Sequence, residues 1–266
     1  MTTGTEASSD TPLFTVQNAQ GFDAGQAEYT FVISTAGRGR NVATSTVAAG
    51  SRTTPFTPAG PLPRATSLVW EAIGRSGAGA TSASLRTPFR SRAVDCVAGG
   101  SPYGKAVVGF FLTACSLARN RFNDPREVLG PPNSNAPAPD YNGFMSLGEG
   151  GHVVVDMEAC AADRPGPDVR VWQRTSREPV TLHAAGRPDG PFVLLQARVD
   201  CGPPTGPIPA GAGHRSGYCD FDLADTEMQE ARYFKIEDGE LYPCAQAGTD
   251  TEGADIDAIE ILNRKQ

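Results

Sequence analysis

The stretch EGADIDAIEILN, residues 252–263, threads Glu252, Asp255, Asp257 and Glu260 through Ala254, Ile256, Ala258, Ile259, Ile261 and Leu262. In an extended strand Asp255, Asp257 and Ile259 share one face, and Ile256, Ala258 and Glu260 share the other. Each face then mixes acid with apolar bulk, which a simple half-buried strand does not do. Two readings stay open. The segment is an edge strand whose charges are solvated and deter edge-to-edge pairing, or its carboxylates hold a cation. In both, the end of the chain returns to complete a sheet.

The remainder of the sequence agrees with a β protein. Gly 30 and Pro 22 make up about a fifth of the 266 residues, which favours short strands joined by turns over long helices. Apolar residues are 39% and charged residues 20%, enough for a real core and against wholesale disorder. Net charge is −7 with no Lys/Arg stripe interleaved with aromatics, so a nucleic-acid partner is not expected. No apolar run reaches the length of a membrane span.

Six cysteines, Cys96, Cys115, Cys160, Cys201, Cys219 and Cys244, are dispersed without a CxxC, which argues against zinc ribbons and for disulfides in an oxidising compartment. Buried free thiols in a cytosolic protein are the alternative. Of the 15 possible connectivities, Cys201–Cys219 is favoured, because CGPPTGPIPAGAGHRSGYC is a Pro/Gly-rich excursion that a crosslink would close. The pairing of Cys96, Cys115, Cys160 and Cys244 stays open. An extracellular or surface location follows, with the natural signal removed, since MTTGTEASSD has neither a basic nor an apolar leader region.

Residues 1–9 read as a disordered or extraneous start, and 10–92 as a small β-sandwich. AEYTFVIST alternates Tyr29, Phe31 and Ile33 with polar neighbours, the period-2 signal of a half-buried strand. TPLFTVQNA, YTFVIS and SLVWEAIGRSGAGATSASLRTPF resemble the fibronectin type III-like domains of bacterial surface proteins. That resemblance implies a spacer or adhesion module, with Trp70 in its core.

Residues 93–266 read as a larger sandwich. YGKAVVGFFLTA, DVRVWQRT, EPVTLHAAG, FVLLQARVD and ARYFKIED are strand candidates, and DLADTEMQEA a short helical turn. Pro125, Pro131 and Pro132 are expected to bar a helix, and Gly148, Gly150 and Gly151 to supply positive φ. Seven motifs, EVLGPPN, FMSLGEGGHVVVDM, DRPGPDVRVWQ, DGPF, CDFDLAD, ARYFKIED and GADIDAIEILN, keep the order seen in a family of bacterial cell-surface proteins. The resemblance implies a galactose-binding-like, discoidin-like jelly roll over about residues 122–263. Two departures stand out: Trp172-Gln173 where the family has F-E, and Gly253-Ala254-Asp255 where it has G-F-D.

No H-E-x-x-H, Walker A loop, dinucleotide fingerprint or nucleophile elbow is present, and an enzyme is not expected. Calcium needs six to eight oxygen ligands on loops that can wrap it. In galactose-binding-like folds a structural calcium commonly joins a loop near the domain's start to its last strand. The resemblance therefore makes Asp124, Asp168, Asp255 and Asp257 the candidate ligands, against the plainer reading of structural charge or an ordinary turn at Asp168. Asp163 lies across the RPGP turn from Asp168, and Asp222 and Asp225 read as turn caps. Loop aromatics beside cysteines, Tyr218 and Tyr242, are candidates for stacking on a sugar. Tyr103 and Tyr141 are weaker ones, and Trp172 reads as core.

The expected function is non-catalytic binding or adhesion at a cell surface, with a glycan as ligand. The alternatives are a structural subunit that packs against copies of itself, and a glycan-active hydrolase.

Overall fold

A computed structural model describes residues 6–22, 24–112, 122–133, 143–174, 178–203, 217–239 and 253–265. The chain is all-β and divides into two units, Met1–Ala93 with Glu227–Gln229, and Val94–Thr226 with Glu230–Gln266.

The first unit holds β1 (Phe14–Gln17), β2 (Ala27–Thr35), β3 (Asn41–Ala48), β4 (Thr53–Phe56), β5 (Ser67–Ser76), β6 (Thr81–Ala83) and β7 (Thr87–Arg90). β1 pairs with β4, and a second sheet runs β3-β2-β5-β6 with β7 also on β5. The alternation in β2 buries Tyr29, Phe31 and Ile33. Trp70 is a core residue, 5.3 Å from Phe14 between ring centroids, and Phe31 stacks on Phe56 at 4.8 Å. These rings supply most of the apolar area of a small core.

The second unit is an antiparallel jelly-roll sandwich. Its strands are β8 (Ala106–Phe111), β9 (Met145–Ser146), β10 (His152–Ala162), β11 (Val169–Gln173), β12 (Pro179–Ala185), β13 (Val193–Asp200), β14 (Gly217–Phe221), β15 (Glu230–Asp238) and β16 (Asp255–Ile261). One sheet runs β13-β12-β15-β10-β8, the other β14-β11-β16-β9.

The closing stretch is a strand, but not an edge strand. β16 pairs with β11 along its length and with β9 at Asp255 and Ile256. Residues 102–104 extend the ladder, with Ile261 N donating to Pro102 O at 2.7 Å and Gly104 N to Ile259 O at 3.3 Å. Every residue of β16 except Glu260 is buried, Asp255 and Asp257 included, so the solvated-charge reading fails. Both faces carry acid because both are covered by partners that can bond it.

Two local expectations also change. A 3-10 turn spans Pro125–Val128, capped by Asp124, whose side chain accepts from Arg126 N. Proline at the first helical position loses only an N–H that would lack a partner anyway, so Pro125 starts the turn instead of barring it. Gly148 and Gly150 have positive φ, as does Gly253, but Gly151 does not. Gly151 is needed for space: a Cβ there would overlap the Leu147 carbonyl oxygen. This turn carries the chain from β9 in one sheet to β10 in the other. Buried Asp238 pins it, accepting from Gly150 N at 3.2 Å and from Ala254 N at 3.1 Å.

Cys201 is joined to Cys219, and Cys96 to Cys160. In the chain-entropy account, closing loops of these lengths stabilises a fold by roughly 3–4 kcal/mol each. Cys115 and Cys244 lie outside the described residues.

Candidate functional site

Three strands build the site. β11 lies between β14 and β16, in a register that sets Arg170 opposite Asp220 and Glu260, and Trp172 opposite Tyr218 and Ala258. The intervening residues Val169, Val171, Cys219, Phe221, Ile259 and Ile261 are buried in the sandwich core. Side chains alternate across a strand, so Arg170, Tyr218, Asp220 and Glu260 take the other face, half-buried, while Trp172 on that face is itself buried, as a core reading of it expects.

On this face the planar groups are already packed together. Arg170 forks onto Asp220, with Nε 2.7 Å from Oδ1 and Nη2 2.8 Å from Oδ2. Its guanidinium lies 3.7 Å from the Tyr218 ring centroid, and Tyr218 lies 5.2 Å from Trp172 at a tilt of 59°. Trp172 Nε1 donates to Glu260 Oε2 at 2.9 Å, and the Tyr103 hydroxyl reaches Glu260 Oε1 at 3.5 Å. The hydrogen bond to Asp220 raises the Arg170 pKa above its ordinary value. Burial, then the Glu260 charge, raises that of Tyr103. The result is a rigid patch with a cation–π pair and half-buried Tyr218, Asp220 and Arg170, which offer a ring, acceptors and donors to a ligand's hydroxyls.

At the end of the same strands three acids converge. Asp163, Asp168 and Asp222 each bring a carboxylate oxygen within 4.8 Å of the others. Asp168 is fully buried just before β11, and three donors meet it. Its Oδ1 accepts from Arg164 N at 3.1 Å and Asn263 Nδ2 at 3.0 Å, and its Oδ2 from Leu223 N at 3.0 Å. Burial still raises its pKa, against those three bonds. Asp163 is raised by burial and then by the charges of Asp168 and Asp222. Asp222 is the cap of a 3-10 turn, Leu223–Asp225, accepting from Ala224 N at 2.8 Å.

The four carboxylates predicted as a metal set do not gather. Among the described residues the Asp163–Asp168–Asp222 group is the only such cluster of three, and it takes one of the four. Asp124 is forked by Arg126, with Nη2 2.6 Å from its Oδ2, and the guanidinium bonds hold its pKa down at about 2. Asp255 accepts from the Ser146 hydroxyl. Asp257 accepts from Asn133 N at 2.8 Å. The predicted ligand residue Tyr218 lies in β14 instead of a loop, because its N–H donates to Gly202 O at 3.0 Å and its strand continues the ladder beside β11. Tyr242 and Tyr141 lie outside the described residues. Arg170, Asp220 and Glu260 were missed. Their signal is the i, i+2 spacing of R-x-W, Y-x-D and A-x-E in three neighbouring strands, which places each pair on one face.

No family model matches the chain, and no curated protein matches it. Among solved structures it is similar to the allantoicase of Saccharomyces cerevisiae, at 9% identity and TM-score 0.37 over 96% of this chain and 74% of that one. It is similar to a fucolectin from striped bass (Morone saxatilis) serum, at 8% identity and TM-score 0.31 over 97% and 84%. A SusE-like protein shares 13% identity at TM-score 0.24 over 97% and 95%. Likeness at this level carries no assignment of function.

Proposed function

We propose that the second unit is a galactose-binding-like module that binds glycan, without a covalent step, on the outer face of β14, β11 and β16. The first unit, with β1-β4 facing a β3-β2-β5-β6 sheet, is then a fibronectin type III-like spacer, and two disulfides fit an extracellular setting. The observation that carries the reading is the half-buried Arg170–Tyr218 cation–π pair, set against buried Trp172, with Asp220 and Glu260 beside it. Sugars present apolar faces and hydroxyl edges, and such a patch meets both without ordering new side chains. The acids of this face are committed to Arg170, Trp172 and Tyr103, which suits recognition more than acid–base catalysis. Tyr218→Ala is expected to weaken binding of a neutral oligosaccharide about tenfold, with an unchanged fold by circular dichroism. Titration calorimetry on hits from a glycan array checks it. Wild-type affinity in the variant, or an array with no hits, rejects the reading.

Calcium is part of the same proposal, at a different place from the one the resemblance implies. Asp163, Asp168 and Asp222 would hold it, with remaining oxygens from backbone and water. Three mutually repelling carboxylates at the end of one sheet fit a divalent cation, and the ion would supply structural crosslinking only. Millimolar calcium is expected to raise the melting temperature of chelator-treated protein, as any native-state ligand does, by the equivalent of about 2.7 kcal/mol at a hundredfold excess over Kd. Asp163→Asn should abolish the rise. An unchanged melt, with no metal by elemental analysis, removes calcium from the account.

A further inference from the structure

Beside the acid cluster lies an open cleft of about 800 Å³. Gly99, Gly100, Ala159, Arg164, Pro165 and residues 262–265 line it. It is large enough for a few sugar rings. Among the described residues that line it, three are cationic, Arg164, Arg264 and Lys265, and none is acidic. That is the reverse of the chain as a whole, whose net charge is −7.

The walls are fixed. The Cys96–Cys160 disulfide ties the segment before Gly99 to β10. Ala162 N donates to Asn263 O at 2.8 Å and Lys265 N to Cys160 O at 2.9 Å, so residues 263–265 are held to β10 by a single antiparallel bridge at Arg264. Glycine at position 100 suits this closeness: a Cβ there would sit 3.2 Å from that of Ala159, so the wall would have to give by a few tenths of an ångström.

The cations differ in what they have left to give. Lys265 Nζ is 2.9 Å from Glu230, so its charge is answered. Arg264 Nη1 donates to Gly100 O at 2.7 Å, which holds its guanidinium across the cleft with its other N–H groups unspent on that bond. Arg164 is exposed, and its guanidinium pairs with no described residue; only its backbone N–H is engaged, by Asp168. Asp163, the neighbouring acid, belongs to the group with Asp168 and Asp222 and does not line the cleft. Two guanidiniums line this one cleft, one braced on Gly100 and one unpaired with any described residue, and guanidiniums are suited to grip a planar or tetrahedral oxyanion.

We propose that this cleft is a subsite for an acidic saccharide, in which Arg164 and Arg264 grip an oxyanion, carboxylate or sulfate, carried on a sugar ring. The proposal rests on the glycan-binding reading and makes it specific: a neutral part of the chain would lie on the Tyr218 face and a charged ring here.

The test uses the full chain and three probes in titration calorimetry: a tetragalacturonide, a sulfated tetrasaccharide of the heparin type, and a neutral oligosaccharide that the wild type binds. The wild type is expected to bind at least one acidic probe, with affinity falling as NaCl rises, since exposed charges are screened beyond about 10 Å at 0.1 M. Arg164→Ala with Arg264→Ala should weaken that binding about tenfold or more and leave neutral-probe binding unchanged. Whichever acidic probe responds identifies the oxyanion. Arg164→Ala alone is the second variant, because it breaks no hydrogen bond or ion pair with the described residues and so is expected to keep the fold; it should lose part of the same affinity. Acidic probes that bind the double variant as tightly as the wild type, or fail to bind while the neutral probe binds, overturn the cleft and leave the glycan reading standing. Failure to find any neutral oligosaccharide that binds, with no binding of either acidic probe, overturns both.

Discussion

Replacing Asp168 with alanine is expected to destabilise the second unit by about 3–5 kcal/mol, read as a lower urea midpoint with an unchanged m-value. The side chain joins three separate pieces of chain. Arg164 N belongs to the turn before β11, Leu223 N to the 3-10 turn after β14, and Asn263 to the segment after β16. Its backbone carbonyl takes a fourth donor, Leu262 N at 2.8 Å, which alanine would keep. Truncation orphans the buried Leu223 N–H, at about 1–3 kcal/mol, and takes a charge-assisted bond each from the part-buried Arg164 N and from Asn263 Nδ2, which keeps Pro167 O at 3.1 Å. An opposing effect exists, since removing the charge relieves repulsion with Asp163 and Asp222. The raised pKa of Asp168 shows that its ionised form is disfavoured by burial. That compares two protonation states of a side chain that is present. It does not make the absent side chain cheaper, because the Leu223 N–H would still face a cavity. Asp168→Asn should fall between wild type and alanine: one oxygen remains, but the amide NH2 must face at least one of the three donors. Should alanine cost under 1 kcal/mol, the carboxylate is not the tie described here.

Asp168 also shows how far one sequence can be read. GPD is an ordinary turn, and its aspartate could be singled out only through family resemblance. What makes it central is the convergence of Arg164, Leu223 and Asn263, which are separated in sequence and meet only once β11, β14 and β16 are paired. Strand existence was legible because it is local: the alternation in AEYTFVIST and the apolar runs of FVLLQARVD and ARYFKIED map onto β2, β13 and β15. Position within a sheet was not. β16 reads as an edge because its acids suggest solvent, whereas Ser146, Asn133 and residues 102–104 arrive from more than a hundred residues upstream to cover it. The aromatic face was half legible. Tyr218 draws attention as an aromatic next to a cysteine, but Arg170 and Glu260 look like routine strand polarity until the register aligns them. Periodicity tells which face a residue takes; it cannot tell which strand lies alongside.

The stability of the second unit is expected to fall as pH rises from about 4 to about 6, and Asp255→Asn should remove much of that slope. Burial holds the Asp255 carboxyl at about 6 against an ordinary 3.8, despite the Ser146 hydroxyl and the Arg174 charge, which both pull it down. A carboxyl whose pKa is raised on folding binds its proton more tightly in the native state. Its contribution is therefore complete below the unfolded value and is lost as pH climbs through the folded one. At about 1.4 kcal/mol per pKa unit, the loss by pH 7 is about 3 kcal/mol. Asp168 and Asp163 are shifted the same way, whereas Asp124, on a partly exposed turn where screening shrinks its effect, and His152 and His183, lowered by burial, contribute stability that rises with pH. The wild-type curve alone therefore mixes several groups. The difference between wild type and Asp255→Asn isolates one. Asparagine mimics the protonated acid, keeps an oxygen for the Ser146 hydroxyl and gives up only the Arg174 attraction, a contribution already contained in the net shift. The variant should match wild type near pH 4 and exceed it by about 1–3 kcal/mol at pH 7, measured by urea denaturation at each pH. A difference that stays constant between those limits would mean that Arg174 and Ser146 keep the carboxylate ionised throughout, and that the acid of the closing strand is balanced by its bonds instead of burdened by its burial.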